Sequence, residues 1–304
     1  MAQGSPVGAL SRLSEPTCGV FRGSAALTLG VTRKQLAALR RDEVIVRALP
    51  DTYRMRSVTP SAQQRLWAAL LWAGHDAMAA GRSAGASYSL EGVYPDMPEI
   101  AAPRSFRGRS DDVLVQRTNV LPAMMPRRVH GMRVTGVEPT LVRLAHVLDD
   151  EAFEIACEDA RRRRLTSVAA LEAYLDRWAV PGRRGVTRLR ATLRALDPVH
   201  PSRSTLEVKT RRLLVANGMT DFVREFPLAW HGRTFLFDFC FQRHRTILET
   251  NGRRWHDDPT DYEADNDKWS IPGRHGYKLV FATWQKVTRD PGMLLAELVA
   301  TLAA

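Results

Sequence analysis

The chain has 304 residues, of which 44% are hydrophobic and 25% are charged; its 44 Lys and Arg outnumber 33 Asp and Glu and give a formal net charge of +11. This length predicts two or three compact units, and the composition is ordinary for a soluble protein with a sizeable core. The positive balance indicates a polyanionic partner. Nucleic acid is favoured, although an anionic membrane surface or simple solubility would also account for the charge.

Cysteine usage and the apolar runs narrow the class of protein. Cys18, Cys157 and Cys240 form no CxxC pair, which argues against a disulfide framework or a zinc knuckle and suits a reducing cytoplasm. Residues 1–20 lack the charged start and apolar run of a secretory signal, and the longest apolar run, residues 66–74, is too short to cross a bilayer. We therefore expect a cytoplasmic protein without a membrane partner.

Residues 1–58 predict a small helical unit closed by a hairpin. Thr32 with Gln35 three residues later forms a capping box, so a helix is expected over residues 33–43. Two short strands, residues 44–47 and 52–55, follow around a Pro-Asp turn, as in the wing of a winged helix.

The predicted helix 33–43 carries a basic face made by Arg33, Lys34, Arg40 and Arg41. A recognition helix presents such groups to phosphates and base edges in the major groove. A solvated basic face on a helical hairpin is the alternative interpretation, and the wing favours DNA binding.

The middle region, residues 59–196, predicts an α/β and helical part without an assigned role. We expect a buried helix over residues 61–81, strand-like segments within 98–136, a helix over 139–148 and two or three helices within 150–196. The arginine run 161–164 is predicted to be a solvated helix end rather than a nucleic-acid contact. Residues 197–204, polar and with two prolines, read as a linker.

The C-terminal region, residues 202–304, has a clearer order of elements. The pattern predicts α-β-β-β-α-β-α, with segments at 204–217, 222–230, 234–241, 246–251, 260–271, 278–283 and 291–302.

Two carboxylates fall within the second and third predicted strands of this region. The four-residue loop 242–245 sets Phe241 opposite Thr246, so Asp238 lies opposite Glu249, and Asn251 shares their face. Two unit charges about 5 Å apart repel by roughly 3 kcal/mol at an effective dielectric near 20. A shared proton, a nearby Arg or Lys, or a divalent cation must compensate. Arginines holding the pair in an inactive sheet remain an alternative.

The spacing of these acids resembles the PD-(D/E)XK nuclease superfamily, in particular very-short-patch-repair endonucleases and uncharacterised bacterial proteins allied to them. The resemblance covers residues 202–304 and is carried by STLEVKTRRLL, FLFDF, ILETNG and WSIPGRHGYKLVFATW, and by TNGRRWH in place of a Thr-His-Gly-x-x-Trp-His signature. It implies a restriction-endonuclease-like αβββαβ core for this region. The expected fold class of the chain is α/β, with an α+β arrangement when all regions are taken together.

The resemblance also implies roles in phosphodiester hydrolysis. Asp238, Glu249 and Thr250 would hold Mg²⁺ or Mn²⁺. Glu207 would bind the metal through water, unless it only completes a capping box with Ser204. The matched final His, His256, would act as general base or acid, and a structural His is the alternative.

Asn251 departs from the pattern, because it cannot stabilise an anion as Lys would or take a proton as His can. Lys268 is a candidate for a relocated lysine, with an ordinary surface residue as the alternative. Arg253 and Arg254 would contact backbone phosphates or neutralise the carboxylates.

Residues 20–150 resemble the winged-helix antitoxin family of abortive-infection type IV systems, which bind DNA. We therefore expect a DNA-binding protein with a metal-dependent endonuclease or nickase domain. The alternative is a DNA-binding regulator or antitoxin with a catalytically silent nuclease-like domain, and a non-catalytic protein-interaction module is the third hypothesis. DNA is the expected partner, together with a possible cognate toxin or a second copy of the chain.

Overall fold

The computed structural model describes residues 5–180, 182–197, 200–251 and 268–303. The chain divides into two compact units, residues 1–198 and 199–304. Its fold is mixed α/β, which confirms the predicted fold class. Arg253, Arg254, His256 and the first part of the predicted helix 260–271 lie outside the described residues. Within the described ranges, no helix is both long and apolar enough to cross a membrane.

The first part of unit one combines three helices with a three-stranded antiparallel sheet in the order β1-β3-β2. A small core of Leu10, Phe21 and Ile45 joins them. In chain order the elements are α1 (Pro6–Ser14), β1 (Val20–Arg22), α2 (Gly23–Thr28), α3 (Arg33–Arg41), β2 (Ile45–Leu49) and β3 (Thr52–Met55).

Helix α3 begins as predicted, because the Thr32 hydroxyl accepts from the Gln35 N–H at 3.2 Å and the Gln35 side chain accepts from the Thr32 N–H at 2.8 Å. It ends two residues earlier than the predicted residue 43. The physical reason is the left-handed backbone at Glu43, where φ is 56°.

A five-stranded mixed sheet of order β6-β5-β4-β8-β7 forms the middle of unit one. Its elements, with the helices between them, are α4 (Ala62–Ala73), β4 (Met78–Ala79), α5 (Gly81–Ser87), β5 (Glu99–Pro103), β6 (Leu114–Thr118), β7 (Arg127–Val129) and β8 (Met132–Val134). The prediction of one helix over residues 61–81 is wrong. The chain turns at Gly74, where φ is 94°, and then enters the central strand β4, whose two residues are fully buried.

Four helices complete unit one around a core that includes Leu141, Leu171 and Leu189. They are α6 (Val137–Val147), α7 (Asp150–Arg162), α8 (Val168–Trp178) and α9 (Val186–Ala195). The prediction that the arginine run 161–164 is solvated is wrong at Arg161, which is buried and pairs with buried Glu158 at 2.8 Å. The next two arginines of the run both pair with Asp159.

Unit two has the predicted order of elements around a four-stranded sheet, β12-β11-β10-β9, and its last predicted helix is preceded by one extra turn. Strands β11 and β12 are parallel, and the other neighbours are antiparallel. The elements are α10 (Thr205–Ala216), β9 (Val223–Trp230), β10 (Arg233–Phe241), β11 (Thr246–Asn251), helical residues 268–274 (α11), β12 (Lys278–Thr283), α12 (Trp284–Thr288) and α13 (Pro291–Ala303).

Two hairpins fix the register of this sheet. Phe241 pairs with Thr246 and Phe239 with Leu248, which is the predicted register of β10 against β11. At the other hairpin, His231 and Gly232 have φ of 48° and 72°, as a two-residue type I′ turn requires. Apolar side chains of the two central strands, β10 and β11, pack on both faces of the sheet, in one cluster with Leu206 and Leu294 and in another with Ile271.

Candidate active site

The ladder between β10 and β11 stops at Phe239 and Leu248, and two carboxylates occupy the place where the strands part. The Asp238 N–H donates to Glu249 Oε2 at 3.1 Å. In return, the Thr250 N–H donates to Asp238 Oδ2 at 2.8 Å, and the Thr250 hydroxyl donates to the same oxygen. At this point the main-chain N–H groups of Asp238 and Thr250 therefore donate to carboxylates instead of main-chain carbonyls. These bonds tie the buried Glu249 carboxylate to β10 and the buried Asp238 carboxylate to β11.

Glu207 reaches the same region from the first turn of α10. Its N–H donates to the Ser204 hydroxyl at 3.1 Å, which forms one half of the predicted capping box. The other half is not formed with Ser204, because the Glu207 carboxylate accepts from the Arg203 N–H at 2.6 Å and from Arg224 at 2.8 Å. Ser204 thus caps the helix, and the buried Glu207 carboxylate is turned toward β9 and β10.

A fourth acid, Glu225 on β9, was missed by the sequence analysis. Glu207, Glu225 and Asp238 each offer a carboxylate oxygen, and these three atoms lie within 4.8 Å of one another. Among the described residues this is the cluster with the spacing of metal ligands, and Glu249 is not part of it. The metal set predicted from sequence, Asp238 with Glu249 and Thr250, stays a prediction beside this cluster, and Asp238 is common to both.

The hairpin between β9 and β10 contained the signal for Glu225. A two-residue turn at His231 and Gly232 sets a register in which Phe237 pairs with Phe226 and Phe239 with Arg224. The position between these pairs places Glu225 opposite Asp238. The backbone of Glu225 is left-handed, with φ of 52°, so the strand is distorted directly beside the acids.

The environment of Glu225 suits a cation. Its Oε2 accepts from Arg203 at 2.6 Å, whereas its Oε1 is buried and has no hydrogen-bond partner in the described part of the chain. A buried carboxylate oxygen without a donor is costly unless something occupies the site. Three carboxylate oxygens, completed by water and a phosphate oxygen, are a donor set that Mg²⁺ accepts.

Lys268, at the start of the described part of α11, lies against Glu249. Its Nζ contacts Glu249 Oε1 and sits 5.0 Å from the centre of the Phe237 ring. The side chain is 21% exposed, so the interpretation as an ordinary surface lysine is wrong. A lysine ammonium therefore stands at the acids, as the relocated-lysine hypothesis requires.

Burial dominates the titration of the site. Burial and, to a smaller extent, the Asp238 charge together raise the pKa of Glu249 to about 7, against the lowering effect of Lys268. Burial also raises the pKa of Glu207, against the lowering effect of its hydrogen bond from Arg224. Glu249 is consequently poised to exchange a proton near neutral pH.

Replacing Lys268 tests this balance. In Lys268→Met we expect the pKa of Glu249 to rise by about one unit or more, because an opposite charge in contact lowers a carboxyl pKa by about 1–3 units. The measurement is a carboxyl-carbon NMR titration. Lys268→Arg keeps the charge and should leave the midpoint near its original value; an unmoved midpoint in Lys268→Met would show that the contact does not exist in solution.

Asn251 ends strand β11, two residues beyond Glu249, and is in register with Thr283 of β12. The predicted contributions of Arg253, Arg254 and His256 fall outside the described residues.

The basic residues of α3 form a separate candidate surface in unit one. Arg33, Lys34, Arg40 and Arg41 are all exposed, and Arg41 makes a weak ion pair with Asp42 at 3.4 Å.

Comparisons with known proteins give distant relatives. No protein family model matches the chain. Two Mycobacterium tuberculosis proteins, uncharacterized protein MT2308 of strain CDC 1551 / Oshkosh and uncharacterized protein Rv2248 of strain ATCC 25618 / H37Rv, are each 24% identical over 177 residues. The match covers 58% of this chain and 64% of each relative, so the chain spans less than two thirds of their length.

Two solved structures show weak similarity. The crystal structure of the Rv2827c protein from Mycobacterium tuberculosis has a TM-score of 0.45 at 18% identity, covering 66% of this chain and 78% of that one. The catalytic domain of homing endonuclease I-Bth0305I has a TM-score of 0.26 at 15% identity, covering 32% of this chain and 97% of that one. At this distance neither similarity extends to a shared activity.

Proposed function

We propose that unit two is a Mg²⁺- or Mn²⁺-dependent phosphodiester hydrolase that cuts or nicks DNA, related to the very-short-patch-repair branch of PD-(D/E)XK nucleases. The observation that carries the proposal is the meeting of Glu207, Glu225, Asp238, Glu249 and Lys268, from five separate elements, at the point where β10 and β11 part. Clusters of buried acids with raised pKa values are typical of catalytic sites.

Asp238 is the centre of the proposed metal site, because its charge acts on both Glu207 and Glu249. Thr250 fixes its carboxylate with two hydrogen bonds, both to Oδ2. A bound divalent cation would polarise the scissile phosphate and lower the pKa of a water ligand.

Lys268 is the residue that supplies the positive charge missing at Asn251. Its ammonium contacts Glu249 and would stabilise the negative charge that develops on the phosphate oxygens. His256 is the proposed general base or acid, because it is the final residue of the TNGRRWH motif.

A second candidate is a DNA-binding regulator or antitoxin whose nuclease-like unit is catalytically silent, with a toxin or a second copy as partner. One observation favours it: three cations already neutralise three of the acids, since Arg224 pairs with Glu207, Arg203 with Glu225 and Lys268 with Glu249. These ion pairs reduce the repulsion among the acids without a metal ion.

One experiment separates the two candidates. Mg²⁺ and Mn²⁺ are titrated against the full chain, with thermal unfolding and nicking of supercoiled plasmid as readouts. A rise in Tm together with nicking supports the hydrolase, and a rise without nicking supports the silent domain. If Tm does not change and no nicks appear, the cluster is an arginine-compensated structural feature and the metal site is rejected.

For DNA binding, we propose that unit one is a winged helix with α3 in the major groove. The element order α1-β1-α2-α3-β2-β3 and the exposure of the α3 cations support this. In Arg40→Gln/Arg41→Gln we expect the slope of log K against log salt to fall in magnitude by about 1.8, because each lost phosphate contact removes about 0.9.

The matched control for this pair is Arg177→Gln/Arg194→Gln, which removes the same charge from exposed positions on α8 and α9. Fluorescence anisotropy with a labelled duplex of about two helical turns measures both. Equal slopes in the two variants would show that α3 makes no specific contact with the backbone.

A further inference from the structure

The loop between β5 and β6 concentrates positive charge away from α3. Four arginines and one asparagine line a concavity of about 380 Å³ at the β6 edge of the five-stranded sheet; they are Arg104, Arg107, Arg109, Arg117 and Asn119, and we call this the arginine pocket. All five are exposed, and the lining contains neither an acidic nor an apolar residue.

The pocket is built by packing rather than left as a mobile charged loop. Phe106 meets Trp72 of α4 edge to face, with ring centroids 4.9 Å apart. Gly108 fits beneath these rings so closely that a Cβ there would lie 2.3 Å from Phe106 and 2.5 Å from Trp72. An apolar clamp therefore holds the loop at Phe106 and Gly108, and the neighbouring Arg107 and Arg109 are exposed.

Arg117 adds a second fixed element. From strand β6 its Nε donates to the Phe106 carbonyl at 3.0 Å and its second terminal nitrogen donates to the Gly108 carbonyl at 2.7 Å. Two neutral carbonyl acceptors thus hold the guanidinium against the loop. The Arg104 N–H likewise donates to the Thr118 carbonyl at 3.0 Å.

Within the described ranges none of the four guanidinium groups lies in an ion pair. Arg161 and Arg162 of α7 and Arg203 and Arg224 of unit two, in contrast, pair with carboxylates. Like charges gathered in one concavity repel each other, and an anion entering it would be attracted by all four. Arginine forks match phosphate oxygens in geometry as well as in charge.

We propose that the arginine pocket binds the phosphodiester backbone of nucleic acid and forms a contact surface additional to α3. A backbone offers phosphates at regular spacing, which suits several arginines held on one rigid loop. An acidic protein surface fits less well, because protein interfaces are anchored by buried aromatic or apolar side chains and the pocket offers none. The proposal rests on unit one binding nucleic acid and is independent of catalysis by unit two.

Arg107 and Arg109 are the residues to replace, because their side chains make no hydrogen bond in the described structure and are not needed to hold the loop. In Arg107→Gln/Arg109→Gln we expect the salt slope of duplex binding to fall in magnitude by about 1.8, and affinity near 0.1 M salt to fall roughly 10- to 100-fold. The control is again Arg177→Gln/Arg194→Gln, and Tm is measured for every variant. Binding is measured in EDTA, so that metal and turnover play no part.

The outcomes distinguish this surface from α3 and from other ligands. A loss specific to the pocket variant supports the proposal even when Asp238 and the metal prove irrelevant to function. The proposal is overturned if pocket and control variants lose the same affinity, or if the wild type binds no duplex. The proposal is also overturned if inorganic phosphate raises the Tm of the wild type but not of the pocket variant, and the duplex does not compete with phosphate. A pocket variant that keeps its affinity for the duplex and loses only its affinity for an acidic protein would overturn it as well.

Discussion

Asp238→Asn is expected to lower Mg²⁺-dependent nicking by on the order of 10³-fold, with no loss of folding. A metal ion contributes several kcal/mol to such reactions, and each 1.36 kcal/mol corresponds to a factor of ten in rate. A carboxylate oxygen of Asp238 lies within 4.8 Å of one from Glu207 and one from Glu225, and the Asp238 charge raises the pKa of Glu249. Removing this charge therefore affects the whole proposed site. Plasmid nicking under single-turnover conditions measures the effect.

The same substitution should leave stability in EDTA unchanged or raise it. An asparagine oxygen can still accept from Thr250, and the repulsion of the Asp238 charge toward Glu207 and Glu249 disappears. The rise in Tm produced by Mg²⁺ should disappear as well.

Asp221→Asn is the control for Asp238→Asn. Asp221 is an exposed acid of the same unit, and its ion-pair partner, Arg243 at 3.5 Å, is not a residue of the proposed site. Nicking that persists in Asp238→Asn at the wild-type rate would reject the proposed hydrolase site. A loss of nicking in both variants would show that the assay follows net charge or folding instead.

Glu249→Gln is expected to flatten the dependence of stability on pH. The folded-state pKa of Glu249 is raised from 4.5 to about 7, so between these values the folded chain binds more protons than the unfolded chain. This contribution to the free energy of unfolding is complete below pH 4.5 and is lost as pH rises through about 7. A shift of this size corresponds to about 3 kcal/mol.

Urea unfolding of the wild type and of Glu249→Gln, at pH 5 and at pH 8, tests this. The wild type should lose on the order of 3 kcal/mol more than the variant between the two pH values. Saturating Mg²⁺ should reduce the loss in the wild type, because a cation favours the ionised carboxylate. Parallel pH profiles for the two proteins would show that Glu249 has an ordinary pKa.

The register of the candidate site could be predicted from sequence because it depends on local rules. The loop 242–245 sets β10 against β11, and the alternation of side chains then brings Asp238 and Glu249 to the same point. The order of elements in unit two followed from periodicity and turn residues in the same way.

Features that depend on tertiary contacts were missed. Glu225 required the register of a second hairpin together with a left-handed backbone that no propensity indicates. Arg161 looked like a solvated helix end because its partner Glu158 is buried only by the surrounding bundle. The helix predicted through Gly74 failed because a glycine in an apolar run can end a helix as well as continue it.

The hydrogen bond from the Asp238 main chain to Glu249 makes one amide proton a reporter for the whole site. Its acceptor is a side chain that must choose between this N–H and any incoming cation, whereas neighbouring β10 amides are held by backbone carbonyls. Binding of a cation and the hydrogen bond that joins β10 to β11 here would therefore compete for the same oxygen, Glu249 Oε2. The rate at which that single amide exchanges with deuterium would measure how the competition is resolved.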